Sequence, residues 1–112
     1  MLTTDFIGYI INTSKIFDMR LTMKKYEENA KVFKALCDSK RLKIIDIIKD
    51  EEKCACVLLD KLDLSQSGLS YHMKILTDAG LVNARQDGKW THYSTRDKGI
   101  YEVIQLLNEY LK

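Results

Sequence analysis

At Gly80 the apolar residues of this chain change their repeat, and that single switch limits what the chain can fold into. Before it, Leu69, Met73 and Leu76 recur at i, i+4 and i+7, the stripe of an amphipathic helix. After it, Leu81-Val82-Asn83-Ala84-Arg85 and Lys89-Trp90-Thr91-His92-Tyr93-Ser94 read as two short strands, joined by Gln86-Asp87-Gly88 as a hairpin turn. Ser65 is placed to cap the helix, which is expected over Gln66 to Ala79, and Gly80 to stop it. A helix followed at once by a hairpin has an apolar face to bury, so further helices must cover it.

The sequence supplies them. There is no proline in the 112 residues, so breaks fall to glycine, aspartate and serine. From Met23 the positions Tyr26, Ala30, Val32, Phe33 and Leu36 fit a first helix, and Ser39 is placed to cap a second, carrying Leu42, Ile44, Ile45, Ile47 and Ile48. A short helix is expected over Cys54 to Leu62, ended by Asp63-Leu64-Ser65. The last is amphipathic, with Ile100, Val103, Ile104, Leu107, Tyr110 and Leu111 on one side. The expected fold is mainly α with a small β-hairpin wing, a winged helix-turn-helix in the order α-α-α-α-β-β-α. It occupies residues 23–112, with residues 1–22 as an N-terminal extension.

Two helices joined by a tight turn, the second with a polar outer face, are a unit that reads DNA. Gln66, Ser67 and Ser70 suit base edges, and Tyr71 and Lys74 suit phosphates. Arg85 and Lys89 would give the wing its backbone contacts. The net charge of +2 is only mildly basic, so such charge must be concentrated on one face. His72 on the reading helix and His92 on the wing are expected to contact DNA or pack, not to ligate.

The three cysteines are too few, and odd in number, for a secreted disulfide framework, and suggest reduced thiols in a cytoplasm. The apolar run Phe6 to Ile11 is too short to span a bilayer, and Asp5 does not suit a signal peptide, so no membrane partner is expected. Cys54 and Cys56 are separated by one residue. On a regular helix their side chains would point about 200° apart, so gripping one soft ion requires an irregular first turn. A helix N-terminus and Lys53 would both favour thiolate there. Cys37 reads first as a buried small hydrophobe.

The run from Ala35 to Ser94 resembles the ArsR/SmtB family of winged-helix metal-sensing repressors. The resemblance rests on the CxC, on LSQSGLSYHMKIL, on the AGLV step and on GKWTHYS, in order and in register. It implies a homodimer that represses transcription and leaves its double-stranded operator when an inducer binds. It also implies that Gln66, Ser67, Ser70, Tyr71 and His72 lie on the DNA-reading helix. No resident cofactor is implied. The expected inducer is arsenite or antimonite, with cadmium or lead behind, bound by Cys54 and Cys56. In arsenic sensors with C-x-C-x2-C a third cysteine falls at position 59, which here is Leu59. The third ligand would then be solvent, a small thiol or Cys37.

The family's other metal site, on the last helix, is not expected, because Asp97 is followed two residues on by Gly99 in place of histidine. Gly68 stands where the family often has threonine, which costs roughly 1 kcal/mol of helix propensity. The dimer surface is expected around Tyr26, Phe33, Val103, Leu107 and Tyr110. Two rival readings remain at this point. The same fold could sense oxidants or reactive sulfur through its thiols. More remotely, the chain could be a thiol enzyme, although no histidine neighbours the cysteines in sequence.

Overall fold

The computed structural model describes the backbone of residues 2–111 and the side chains from Ile16 onward except Phe17 and Lys112. The side chains of the apolar run Phe6 to Ile11 therefore lie outside the described residues. Five helices and three strands follow one another as α1 (Leu2–Leu36), α2 (Ser39–Ile48), β1 (Lys53–Cys54), α3 (Ala55–Lys61), α4 (Gln66–Asp78), β2 (Val82–Asp87), β3 (Trp90–Thr95) and α5 (Asp97–Leu111). The chain forms two compact units, Met1–Ala30 and Lys31–Lys112. The first is helical and exposes Ile16, Met19, Leu21, Met23 and Tyr26. Helix α1 runs unbroken through Met23, where the sequence alone suggested a start.

The second unit holds the core. Ile44 and Ile48 from α2, Leu58 from α3, and Leu69, Met73 and Leu76 from α4 meet Leu81, Val82 and Tyr93 of the sheet. Ala35 closes one side and Val103 of α5 another. Val103 is thus part of the chain's own core, and Phe33 packs against it, half-buried. Val103 therefore has almost no area left for the expected dimer surface, whereas Phe33 stays partly exposed.

Local chemistry sets the boundaries. Asp38, not Ser39, caps α2: its carboxylate accepts from the N–H groups of Lys40 (2.8 Å) and Arg41 (3.1 Å). An ionised acceptor makes the stronger bond to these unpaired N–H groups. Ser65 caps α4 as expected, its hydroxyl accepting from the Gly68 N–H at 3.1 Å. A Cβ at position 68 would meet Ser65 Oγ at 3.2 Å and Leu64 at 3.5 Å, so that position faces the turn. Helix α4 ends in a Schellman motif. Gly80 takes φ +76°, its N–H donates to Thr77 O, and the Leu81 N–H donates to Leu76 O.

The sheet has one more strand than the sequence suggested. In the order β1-β3-β2, the two residues of β1 pair antiparallel with β3, Lys53 opposite Tyr93 and Cys54 opposite His92. The hairpin turn also moves. Asp87 pairs with Trp90, so the loop is Gly88-Lys89, with positive φ at Gly88 alone, the pattern of a type II′ turn. Gln86 braces it, donating to Gly88 O and accepting from Thr91 Oγ1.

Candidate nucleic-acid interface and thiol pair

On α4 the side chains of Gln66, Ser67, Ser70, Tyr71 and Lys74 are exposed together, at the start and along the outer face of the helix. Tyr71 is 63% exposed, unusual for so large a ring. His72 does not share that face. It is 9% exposed, and its Nδ1 lies 3.1 Å from Nη1 of Arg41 on α2. The expectation that His72 contacts DNA is corrected: its position, three after Leu69 and four before Leu76, puts it on the apolar stripe.

Two of the expected phosphate-binding cations are engaged within the chain. Lys74 pairs with Asp78, one helical turn on, at 3.1 Å. The Arg85 guanidinium forks onto Glu52, Nη2 to Oε1 at 2.6 Å and Nε to Oε2 at 3.2 Å, with Asp87 at 3.8 Å. The hydrogen bond from Arg85 holds the Glu52 carboxyl below its usual range, with partial burial opposing. Lys89 stands exposed in the turn. Between α3, α4 and the wing lies a cleft lined by Leu59, Gln66, Ser70, Trp90 and Thr91.

The cysteine pair does not lie on a regular helix. Cys54 lies outside α3, in extended conformation (φ −66°, ψ 145°), as its N-cap residue. Its sulfur turns back over the first turn and accepts from the Cys56 N–H at 3.3 Å. The helical separation of about 200° therefore does not apply. Hydrogen bonding to Cys54, then burial, then the neighbouring Cys54 charge push the Cys56 thiol above its ordinary value. The expected help from Lys53 is absent, since its ammonium is paired with Glu51. Cys37 is exposed just past the end of α1, so its reading as a buried hydrophobe is also corrected. Among the described residues no three His, Cys, Asp or Glu side chains gather as a metal site.

The family model described as bacterial regulatory protein, arsR family, matches residues 38–84, from the α2 cap into β2. A helix-turn-helix transcriptional regulator of Methanocaldococcus jannaschii is 39% identical over 88 residues, 78% of this chain and 99% of that protein. The chain belongs to the ArsR family. An arsenical resistance operon repressor of Staphylococcus aureus is 42% identical over 83 residues, 74% of this chain and 80% of that protein. Among solved structures, an ArsR-like transcriptional regulator from Rhodococcus superposes with TM-score 0.70 at 25% identity, covering 79% of this chain and 81% of that one.

As an ArsR-family winged helix-turn-helix, the chain is a transcriptional regulator and not an enzyme. The helix-turn-helix, the wing and the CxC occupy one unit, and β1 joins the CxC to the wing. Sequence reasoning missed Glu52, Arg41 and β1 as parts of this arrangement. No described helix is long and apolar enough to cross a membrane.

Proposed function

We propose that this ArsR-family chain represses transcription as a two-fold dimer on operator DNA and leaves it when a thiophilic ion binds Cys54 and Cys56. The inducer is arsenite or antimonite first, with cadmium or lead behind. The observation that carries this reading is the double duty of Cys54. Its sulfur caps α3, and its backbone is half of β1, paired with the wing strand β3. An ion drawing that sulfur away takes the cap from α3 and pulls on the strand beside the wing. Soft thiolates select soft ions, and the S. aureus relative is an arsenical resistance operon repressor. No third Cys or His joins the pair among the described residues; solvent, a small thiol or Cys37 completes the site when the ion binds.

In this reading Gln66, Ser67 and Ser70 meet base edges. Tyr71, Lys74, Arg85 and Lys89 meet the backbone. Two reading helices sit about one turn, ~34 Å, apart. The exposed face of α5, Tyr101, Ile104, Leu107 and Leu111, supplies apolar area for the dimer. Because the Cys56 thiol is raised, a divalent ion such as cadmium must displace its proton, so its potency rises with pH, whereas the hydroxides of arsenite or antimonite carry the thiol protons away as water and their binding shows no such rise.

A second reading keeps the DNA binding and makes the thiols a redox or sulfur sensor. The exposure of Cys37 favours it, since an oxidant can reach that sulfur. One experiment separates the two. Release of a duplex selected by the wild-type protein is titrated with arsenite, antimonite, cadmium and an oxidant. The titrations are repeated on Cys54→Ser, Cys56→Ser and Cys37→Ser. Arsenite-driven release should vanish with either Cys54 or Cys56, and Cys37→Ser decides between two and three sulfurs. Release by oxidant alone establishes the sensor of oxidation.

A further inference from the structure

Two polar side chains lie inside the core, and neither is used by the reading above. Arg41 is 8% exposed and His72 is 9%. Arg41 stands three and seven residues before Ile44 and Ile48, on the buried stripe of α2. Its guanidinium makes three contacts in one plane of donors. Nε donates to Ala35 O at 2.6 Å and Nη2 to Lys34 O at 3.3 Å, both carbonyls of the last turn of α1. Nη1 reaches His72 Nδ1 at 3.1 Å. Asp38 stands behind it, Oδ2 at 3.9 Å from Nη1.

A guanidinium can only donate, so Nδ1 of His72 accepts, and the imidazole carries its proton on Nε2. The cation at the end of α1 is favourable by itself, because the last carbonyls of a helix have no partners of their own. What is specific here is that the same rigid fork also reaches the helix whose outer face carries Gln66, Ser67, Ser70 and Tyr71.

We infer that the Arg41–His72 contact is a positioning link that sets the rotation of α4 about its own axis against the end of α1. The apolar stripe of α4 is attracted to the core without preferred direction, so it tolerates small rotations. A planar fork onto one ring nitrogen does not. The ring of Tyr71 stands edge-on to that of His72, centroids 5.2 Å apart, so a turn of the imidazole is passed to the exposed face. The link concerns how α4 meets DNA and does not depend on what the cysteines bind.

The test compares His72→Asn, His72→Gln and His72→Leu. Asparagine places an acceptor near the position of Nδ1, whereas the glutamine acceptor reaches where Nε2 stood. Each variant is measured for thermal unfolding, for affinity to a duplex selected by the wild-type protein, and for affinity to a scrambled duplex. All binding is measured where the variants are folded. His72→Asn should keep the selected-over-scrambled ratio. His72→Gln and His72→Leu should lower it about tenfold, with scrambled affinity unchanged. Equal ratios in all three variants, or a loss in His72→Asn as large as in His72→Gln, overturns the inference. Should His72→Leu not fold, the asparagine–glutamine comparison still decides. Nitrogen NMR of the wild-type imidazole gives an independent reading: the Nε2–H tautomer is expected, and the Nδ1–H tautomer overturns it.

Discussion

Two arginines tie distant parts of the regulator together, and they do so under opposite conditions. Arg41 reaches His72, 31 residues on, inside the core, and Arg85 reaches back 33 residues to Glu52 in water. Inside, every lost partner leaves a desolvated group unpaired. Outside, water and salt replace the partner at small cost. The buried contact therefore belongs to the architecture, whereas the exposed one is an exchangeable contact that a phosphate oxygen can take over.

The sharpest way to break this contrast is Arg41→Leu. It strands the carbonyls at the end of α1 and Nδ1 of His72 together. We expect a loss of about 3 kcal/mol in urea unfolding with no change in slope. A loss below about 1 kcal/mol would make the buried contact no more than the exposed one. Next comes Asp38→Ala, which removes the α2 cap beside Arg41 and should cost about 1 kcal/mol. The Arg41 N–H bond to its carboxylate, assisted by the Lys40 N–H against some burial, holds Asp38 below its ordinary value of 3.8. Its contribution is therefore full above that ordinary value and disappears as pH falls through the lowered one. Unfolding curves of wild type and Asp38→Ala should differ near neutrality and converge in strong acid.

Glu52→Gln tests the exposed side. It should leave the melting temperature essentially unchanged while freeing Arg85, so that affinity for scrambled DNA rises and its salt dependence steepens by about one ion. A clear drop in melting temperature would place this pair with the buried one. The smallest effect is expected for Asp78→Asn, which frees Lys74, already 77% exposed, for the same purpose. It should change scrambled-DNA affinity in the same direction and by less.

Much of this was legible in the sequence because it rests on local rules. Ser65, the stripe of Leu69, Met73 and Leu76, and Gly80 each act within one helical turn, and α4 runs between them. The fold class followed from the change of period that Gly80 marks. What was not legible depends on partners far apart in the chain. Strand β1 is two residues long and exists only because β3 is there to pair with it. For His72 the sequence left contact with DNA or packing open although the signal for packing was available: it falls on the same stripe as Leu69 and Leu76, as Arg41 falls on that of Ile44 and Ile48. Two polar residues at apolar positions of adjacent helices should have been read as partners. At the cysteines, spacing alone left the sulfurs on opposite sides of a helix. The start of α3 one residue after Cys54 brings them together.

Gly99, in the first turn of α5, carries a consequence for how this regulator can change over generations. A Cβ there would come within 2.1 Å of the Gly80 carbonyl oxygen, a backbone atom held by the end of α4. No side chain fits without moving one helix off the other, and the histidine that would begin a last-helix metal site cannot be introduced at residue 99 by a single mutation. On the proposed function, a lineage carrying this pair of glycines can alter its response by substitutions around the CxC. To found a second sensor on α5 it must first rebuild the corner where α4 ends.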